Sequence, residues 1–112
     1  MKVCFEEIGR MSATFTAESG EAGQVVKVSG NGAVTPCADG EVFCGVMESL
    51  RKGYAAVQLH GFVTLPYTGT APSLGYNNLL ANGSGGVKVG SVGRSHLVVN
   101  VDTNVKIATI EL

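Results

Sequence analysis

Apolar and polar residues along the chain recur with a period of two, in short runs separated by glycine and asparagine. Gln24-Val25-Val26-Lys27-Val28-Ser29 predicts a strand, stopped by Gly30-Asn31-Gly32. Residues 42–49 predict a second, with Cys44 and Val46 on one face and Phe43 and Met47 on the other. Residues 54–67 form a long extended run: Ala55, Val57, Leu59, Val63 and Leu65 share one parity, and Ala56, Gln58 and His60 the other. Sixteen glycines, many in Asn-Gly, Gly-Asn and Gly-Gly pairs, supply tight turns between valine- and threonine-rich runs. No window carries a capped 3.6-residue pattern. The pattern predicts an all-β protein with little or no helix.

The pattern also repeats. Shifting the chain by 53 positions lays Val34 on Val87, Gly40 on Gly93, Val46 on Val99, Ala55 on Ala108, Val57 on Ile110 and Leu59 on Leu112, without a gap. Upstream, Gly23 falls near Gly75 and Asn31-Gly32 near Asn82-Gly83 once a short loop difference is allowed. The matches keep parity, so the same faces are apolar in both copies. A small β-barrel or sandwich built from two pseudo-repeats, residues 20–59 and 75–112, follows. Residues 1–12 fall outside the repeats and read as an N-terminal arm preceding a single β domain, 13–112. Residues 60–74 read as a joining segment in which Pro66 cannot donate to a ladder, which predicts an edge strand in need of a cover.

Composition narrows the function. The chain has 112 residues, 45% hydrophobic and only 15% charged, against roughly 25% charged in typical soluble domains. So little charge predicts that partner chains cover part of the surface. A net charge of −1 leaves no electrostatic footprint for nucleic acid. No apolar run is long enough to cross a membrane as a helix. The opening Met1-Lys2-Val3-Cys4-Phe5-Glu6-Glu7 puts two carboxylates where an export signal needs an apolar run, so synthesis in the cytoplasm is expected. Cys4, Cys37 and Cys44 are odd in number and are read as reduced thiols serving as small hydrophobes, with a Cys37–Cys44 hairpin disulfide as the alternative.

Candidate chemistry is sparse. His60, Asp102 and Ser84 supply the letters of a hydrolytic triad, but Gly83-Ser84-Gly85 lacks the strand-to-helix context of a nucleophile elbow and reads as a turn. The glycine clusters precede no helix start that would cradle phosphate. His60 and His96, and the carboxylates Asp39, Glu41, Glu48 and Asp102, do not recur at metal-ligand spacing. Because the shift places His96 where Phe43 stands, His96 is expected on an outer, solvated or interface face. No catalytic residue, cofactor or metal is expected.

Four segments carry a family resemblance: Ala22-Gly23-Gln24-Val25-Val26-Lys27-Val28; Val42-Phe43-Cys44-Gly45-Val46; Ala55 through Pro66; and Leu97-Val98-Val99-Asn100-Val101-Asp102-Thr103. Together they span roughly residues 20–112, and they resemble the capsid decoration (cement) proteins of tailed bacteriophages. The resemblance implies a glycine- and valine-rich β body, commonly trimeric, attached to the capsid exterior. Its partners would be the major capsid protein and further copies of itself, with neither nucleic acid nor membrane involved. Candidate interface residues are Phe5, Ile8 and Arg10 in the arm and Phe62, Leu65 and Tyr67 on the expected edge. A neck, tail or baseplate component is the runner-up. A ligand-binding β module is a third reading, disfavoured by the lack of tryptophan platforms.

Overall fold

The computed structural model describes residues 10–112, which form ten strands and no helix. The first five are β1 (Met11–Thr16), β2 (Val25–Gly30), β3 (Ala33–Pro36), β4 (Gly45–Arg51) and β5 (Tyr54–His60). They close into a barrel in the order β1-β3-β2-β4-β5. The next five are β6 (Phe62–Thr68), β7 (Gly75–Ala81), β8 (Val87–Val89), β9 (Arg94–Asp102) and β10 (Ile107–Glu111). They close in the corresponding order, β6-β8-β7-β9-β10. In each ring the first and third strands pair in parallel and every other pair is antiparallel. The chain is an all-β protein of two similar halves.

The repeat is wider than the sequence pattern predicts. Met11 and Ser12, expected in the arm, belong to β1, and residues 62–68, expected to join the copies, are the first strand of the second ring. Strand β6 is not an edge: it lies between β10 and β8. Pro66 fits there because the N–H of Tyr67 donates to Lys106, so the alternate residue turns its nitrogen toward β8. That pairing covers only Tyr67 and Thr68, and the imide nitrogen falls just beyond the end of the ladder.

Strand registers fix the equivalences. The β2–β3 pairs Val26↔Pro36, Lys27↔Thr35 and Val28↔Val34 recur 53 positions later as Leu79↔Val89, Leu80↔Lys88 and Ala81↔Val87. The β4–β5 pair Met47↔Val57 recurs as Val98↔Ile110, so β4 maps onto β9 with a shift of 51. Both strands bulge at the same place, skipping Glu48 and Val99. The difference lies in the hairpins. Arg51 and Tyr54 are joined by Lys52-Gly53, with φ of 51° and 80°, the left-handed pair that a two-residue turn requires. Asp102 and Ile107 are joined by four residues, 103–106. A shorter connection ahead of β9 offsets the longer turn, which is why a gapless shift of 53 still aligns β5 with β10.

One core cluster fills the first ring: Ala17, Val26, Val34, Met47, Ala55 and Val57. The second cluster holds Leu65, Tyr67, Leu79, Ala81, Val87, Val98, Ala108 and Ile110, and it also takes in Val25, Cys37, Phe43 and Val46 from the first half. Phe43 and Met47 therefore face different cores, against the expected shared face, because β4 starts only at Gly45 and parity does not carry back to Phe43. Backbone bonds stitch the halves: Gly40 N–H donates to Ala81 O at 2.9 Å, Ala81 N–H to Glu41 O at 2.9 Å, and Val25 N–H to Gly85 O at 3.1 Å.

Gln58 stands at the crossing between rings. Its parity reads as outward, yet it is 3% exposed. Its Nε2 donates to the carbonyls of His60 and Phe62, both at 3.1 Å, across the corner made by Gly61 at φ 100°. Leu112 N–H donates to the Gly61 carbonyl at 2.9 Å. Replacing Gln58 with leucine keeps the volume and strips two partly buried carbonyls of a donor. We expect a loss of about 1–3 kcal/mol in urea unfolding, with the far-ultraviolet spectrum unchanged.

Candidate functional site

Sequence-predicted site residues do not converge. Phe5 and Ile8 lie outside the described residues. Arg10 is exposed and forms an ion pair with Glu48 on β4, so it is tied to its own body. Leu65 and Tyr67 are 1% and 4% exposed, inside the second barrel. They cannot present an apolar edge to a partner, because β6 has a neighbour on each side. Phe62 is half-buried opposite Glu111.

Of the hydrolase letters, Asp102 and Ser84 lie at turns and His60 ends β5. Asp102 Oδ1 accepts from the N–H groups of Asn104 at 2.9 Å and Val105 at 3.4 Å, an Asx turn that shapes the second hairpin. Ser84 N–H donates to Asn82 Oδ1 at 2.8 Å in the β7–β8 loop, and Gly86 N–H donates to the same oxygen at 3.1 Å. Among the described residues, no three of His, Cys, Asp and Glu stand where they could hold a metal ion. Cys37 and Cys44 are free thiols. Burial pushes the Cys37 thiol up to about 11, with Glu41 and Cys44 adding and Lys27 opposing. Burial likewise raises Cys44, whereas backbone N–H groups of Cys44 and Val28 pull it down.

The most unusual polar group is His96, which the sequence places outside and the structure places 2% exposed. In β9 the outward position belongs to Leu97, leaving His96 and Val98 inward. The imidazole stacks on Phe43 with ring centroids 4.9 Å apart and planes 9° from parallel. Its Nδ1 is 2.9 Å from the carbonyl of Glu111, and its buried Nε2 has no hydrogen-bond partner among the described residues. The stack joins the connection before β4 to β9, at the seam between the two halves. The charged rim of this seam pairs Lys27 with Glu41, and Lys88 Nζ with Asp39 Oδ1 at 2.8 Å. The Lys27 ammonium and the Ala38 N–H hold the Glu41 carboxyl below its ordinary range.

Several large apolar side chains are exposed. Leu74, Tyr76 and Val92 are 71%, 73% and 68% exposed around the start of β7 and the connection before β9. Tyr76 is paired in register with Leu97, so their side chains share the outer face of the second ring. Tyr54, Val28 and Val105 are exposed elsewhere. An open cleft of about 560 Å³ lies beside the β2–β3 hairpin, lined by Thr16, Glu18, Ser19, Ser29 and Thr35 among others. A sequence signal for the Tyr76 face existed, in the alternation of Leu74 and Tyr76 ahead of Asn78, but the 53-residue shift concealed its counterpart.

Comparison with protein-family models finds no match, and comparison with curated proteins finds none either.

Burial pushes the His96 imidazole below its ordinary range; the bond to the Glu111 carbonyl opposes this and Arg94 reinforces it. The folded state thus prefers the neutral ring. The stability gained is present above the ordinary histidine value of about 6.5. It declines as pH falls from there toward the lower folded-state value, because the unfolded chain takes up the proton first. Thermal melts between about pH 7.5 and 5 are expected to show this decline, and His96→Leu is expected to flatten it.

Proposed function

We propose that this chain is a structural virion protein that attaches to the outer surface of a bacteriophage capsid and strengthens the shell. Its partner is the major capsid protein, and several copies, three in the simplest arrangement, act together. The observation that carries the reading is the pairing of two fused barrels with an exposed apolar surface at Leu74, Tyr76 and Val92 on a chain only 15% charged. Such a surface is suited to burial against other protein. The segmental resemblance of residues 20–112 to decoration proteins points to the same role. Two closed rings present few long bare strand edges, which suits a part that must bear load without aggregating.

The role calls for no reacting group. It calls for a body that keeps its shape and for attachment that forms late, once the shell has expanded. The arm residues Val3, Phe5 and Ile8, interleaved with Lys2, Glu6 and Glu7, suit a segment that orders on its partner, covering a large area at the expense of ordering entropy.

Mixing purified protein with expanded capsids, followed by sedimentation and electron cryo-microscopy, tests the reading. The full chain is expected to pellet with shells and appear as regular external density. Removing residues 2–9 is expected to leave the melting temperature within a degree or two and to weaken attachment at least tenfold. Full-length protein that stays in the supernatant at every shell concentration overturns the proposal.

A further inference from the structure

The contact between the rings is head-to-tail, built from two different surfaces. The first ring contributes the outward side of its β2–β4 ladder, where the register pair Val25↔Val46 lies 1% and 4% exposed. The second ring contributes its β7–β8 hairpin, with Gly85 O accepting from Val25 N–H and Ala81 bonded to Gly40 and Glu41. Each surface has a counterpart on the other ring. Met47↔Val57 recurs as Val98↔Ile110, so Val46 corresponds to Leu97, which faces Tyr76 as Val46 faces Val25; along its own strand Val25 corresponds to Asn78, two residues on and on the same outer face as Tyr76. The β2–β3 ladder recurs 53 positions on, so Ala81, Gly83 and Gly85 correspond to Val28, Gly30 and Gly32.

Both counterparts are bare. Facing the half-buried Leu97 as Val25 faces Val46, Tyr76 is 73% exposed whereas Val25 is buried, and Val28 is 58% exposed where Ala81 is fully buried. A Cβ added to Gly83 would lie 3.0 Å from Asp39, and one added to Gly85 would lie 3.2 Å from Gln24, both across the seam. A Cβ at Gly30 or Gly32 meets nothing within 4 Å. The left-handed φ of 67° accounts for Gly32, but Gly30 is not a positive-φ glycine, so neither its own backbone nor its described neighbours require glycine. Its counterpart stands where another part of the chain approaches closely.

We propose that a second copy of this chain seats its β2–β3 hairpin, residues 28–32, on the Tyr76–Leu97 face, repeating between chains the contact that joins the rings within one. The two surfaces differ, so the contact is heterologous and either closes a ring of chains or runs on as a filament. Charge does not oppose it: Leu74, Tyr76 and Leu97 on one side and Val28, Ser29, Gly30, Asn31 and Gly32 on the other are all uncharged. The connection before β9, residues 90–93, is shorter than residues 37–44, so the loop that bonds Ala81 within the chain has no full counterpart. The contact between chains is accordingly the smaller of the two. A closed ring of three chains would place six barrels in a circle; that ring size rests on the capsid reading, and the contact itself does not.

Light scattering on the purified full chain at high micromolar concentration, with no capsid present, tests this separately from shell attachment. The wild type is expected to exceed the monomer mass, and Tyr76→Lys and Val28→Lys are each expected to lower it to the monomer. Unchanged melting curves would show that the variants fold. On a Cys4→Ser background, Tyr76→Cys mixed with Asn31→Cys is expected to form a disulfide-linked two-chain species on oxidation, with neither doing so alone. A monomeric wild type, an oligomer indifferent to both lysine substitutions, or Tyr76→Cys linking to itself overturns the proposal.

Discussion

The packing of Val25, Val46 and the connection at residues 37–44 against the second ring is the constraint on which the rest of the structure depends. A ring of about 50 residues buries too little apolar surface to stand alone. The first ring's own core shows the shortage, since two of its six buried residues are alanines. The second core is larger and is completed from the first half by Val25, Cys37, Phe43 and Val46. Removing either half would expose that shared surface, so the barrels are thermodynamically one body although topologically two. Ala81 shows how tight the joint is: its N–H and its carbonyl both bond across the seam, at 2.9 Å each.

The same joint explains the odd polar residues. His96 is buried because its ring completes an apolar stack on Phe43, and the stack fixes the connection that carries Gly40 and Glu41 to Ala81. Gln58 is buried because the chain must turn at Gly61 to leave one ring for the other, and the turn leaves carbonyls pointing inward. Each residue trades hydration for a role at the passage between rings. For His96 the exchange is incomplete, with Nε2 unbonded among the described residues, so protonation of that ring weakens the seam.

Local alternation made the strands legible, and parity over residues 34–59 and 87–112 made the duplication legible. Errors arose where a long-range partner decides the outcome. Pro66 suggested an edge, but proline excludes only a donor on one side, and β8 ends where that donor would be needed. Leu65 and Tyr67 then looked like surface, although their alternation with Thr64, Pro66 and Thr68 already described a half-buried interior strand. The gapless shift equated His96 with Phe43, whereas two compensating loop changes move β9 by two residues relative to its flanks. Carbonyl partners for Gln58 and His96 come from Phe62 and Glu111, in the other ring and on another strand, which no periodicity reveals.

The two copies have diverged most tellingly where one face met a permanent partner and the other did not. At the seam, Val25 and Val46 are compact side chains sealed against a neighbour that never leaves. On the second ring, Leu97 stands for Val46 and faces Tyr76; both are larger, and the tyrosine carries a hydroxyl that stays wet whether or not its ring is covered. That is the composition of a face that must be soluble alone yet bury well when met, since aromatic anchors with a polar tip are enriched in separable interfaces. A free surface under no such demand would be expected to gain charge, as Glu48, two residues from Val46, has done opposite Arg10. Its counterpart is Val99, and the outer β7–β9 face, from Tyr76 and Leu97 to Asn78 and Ser95, carries no charge.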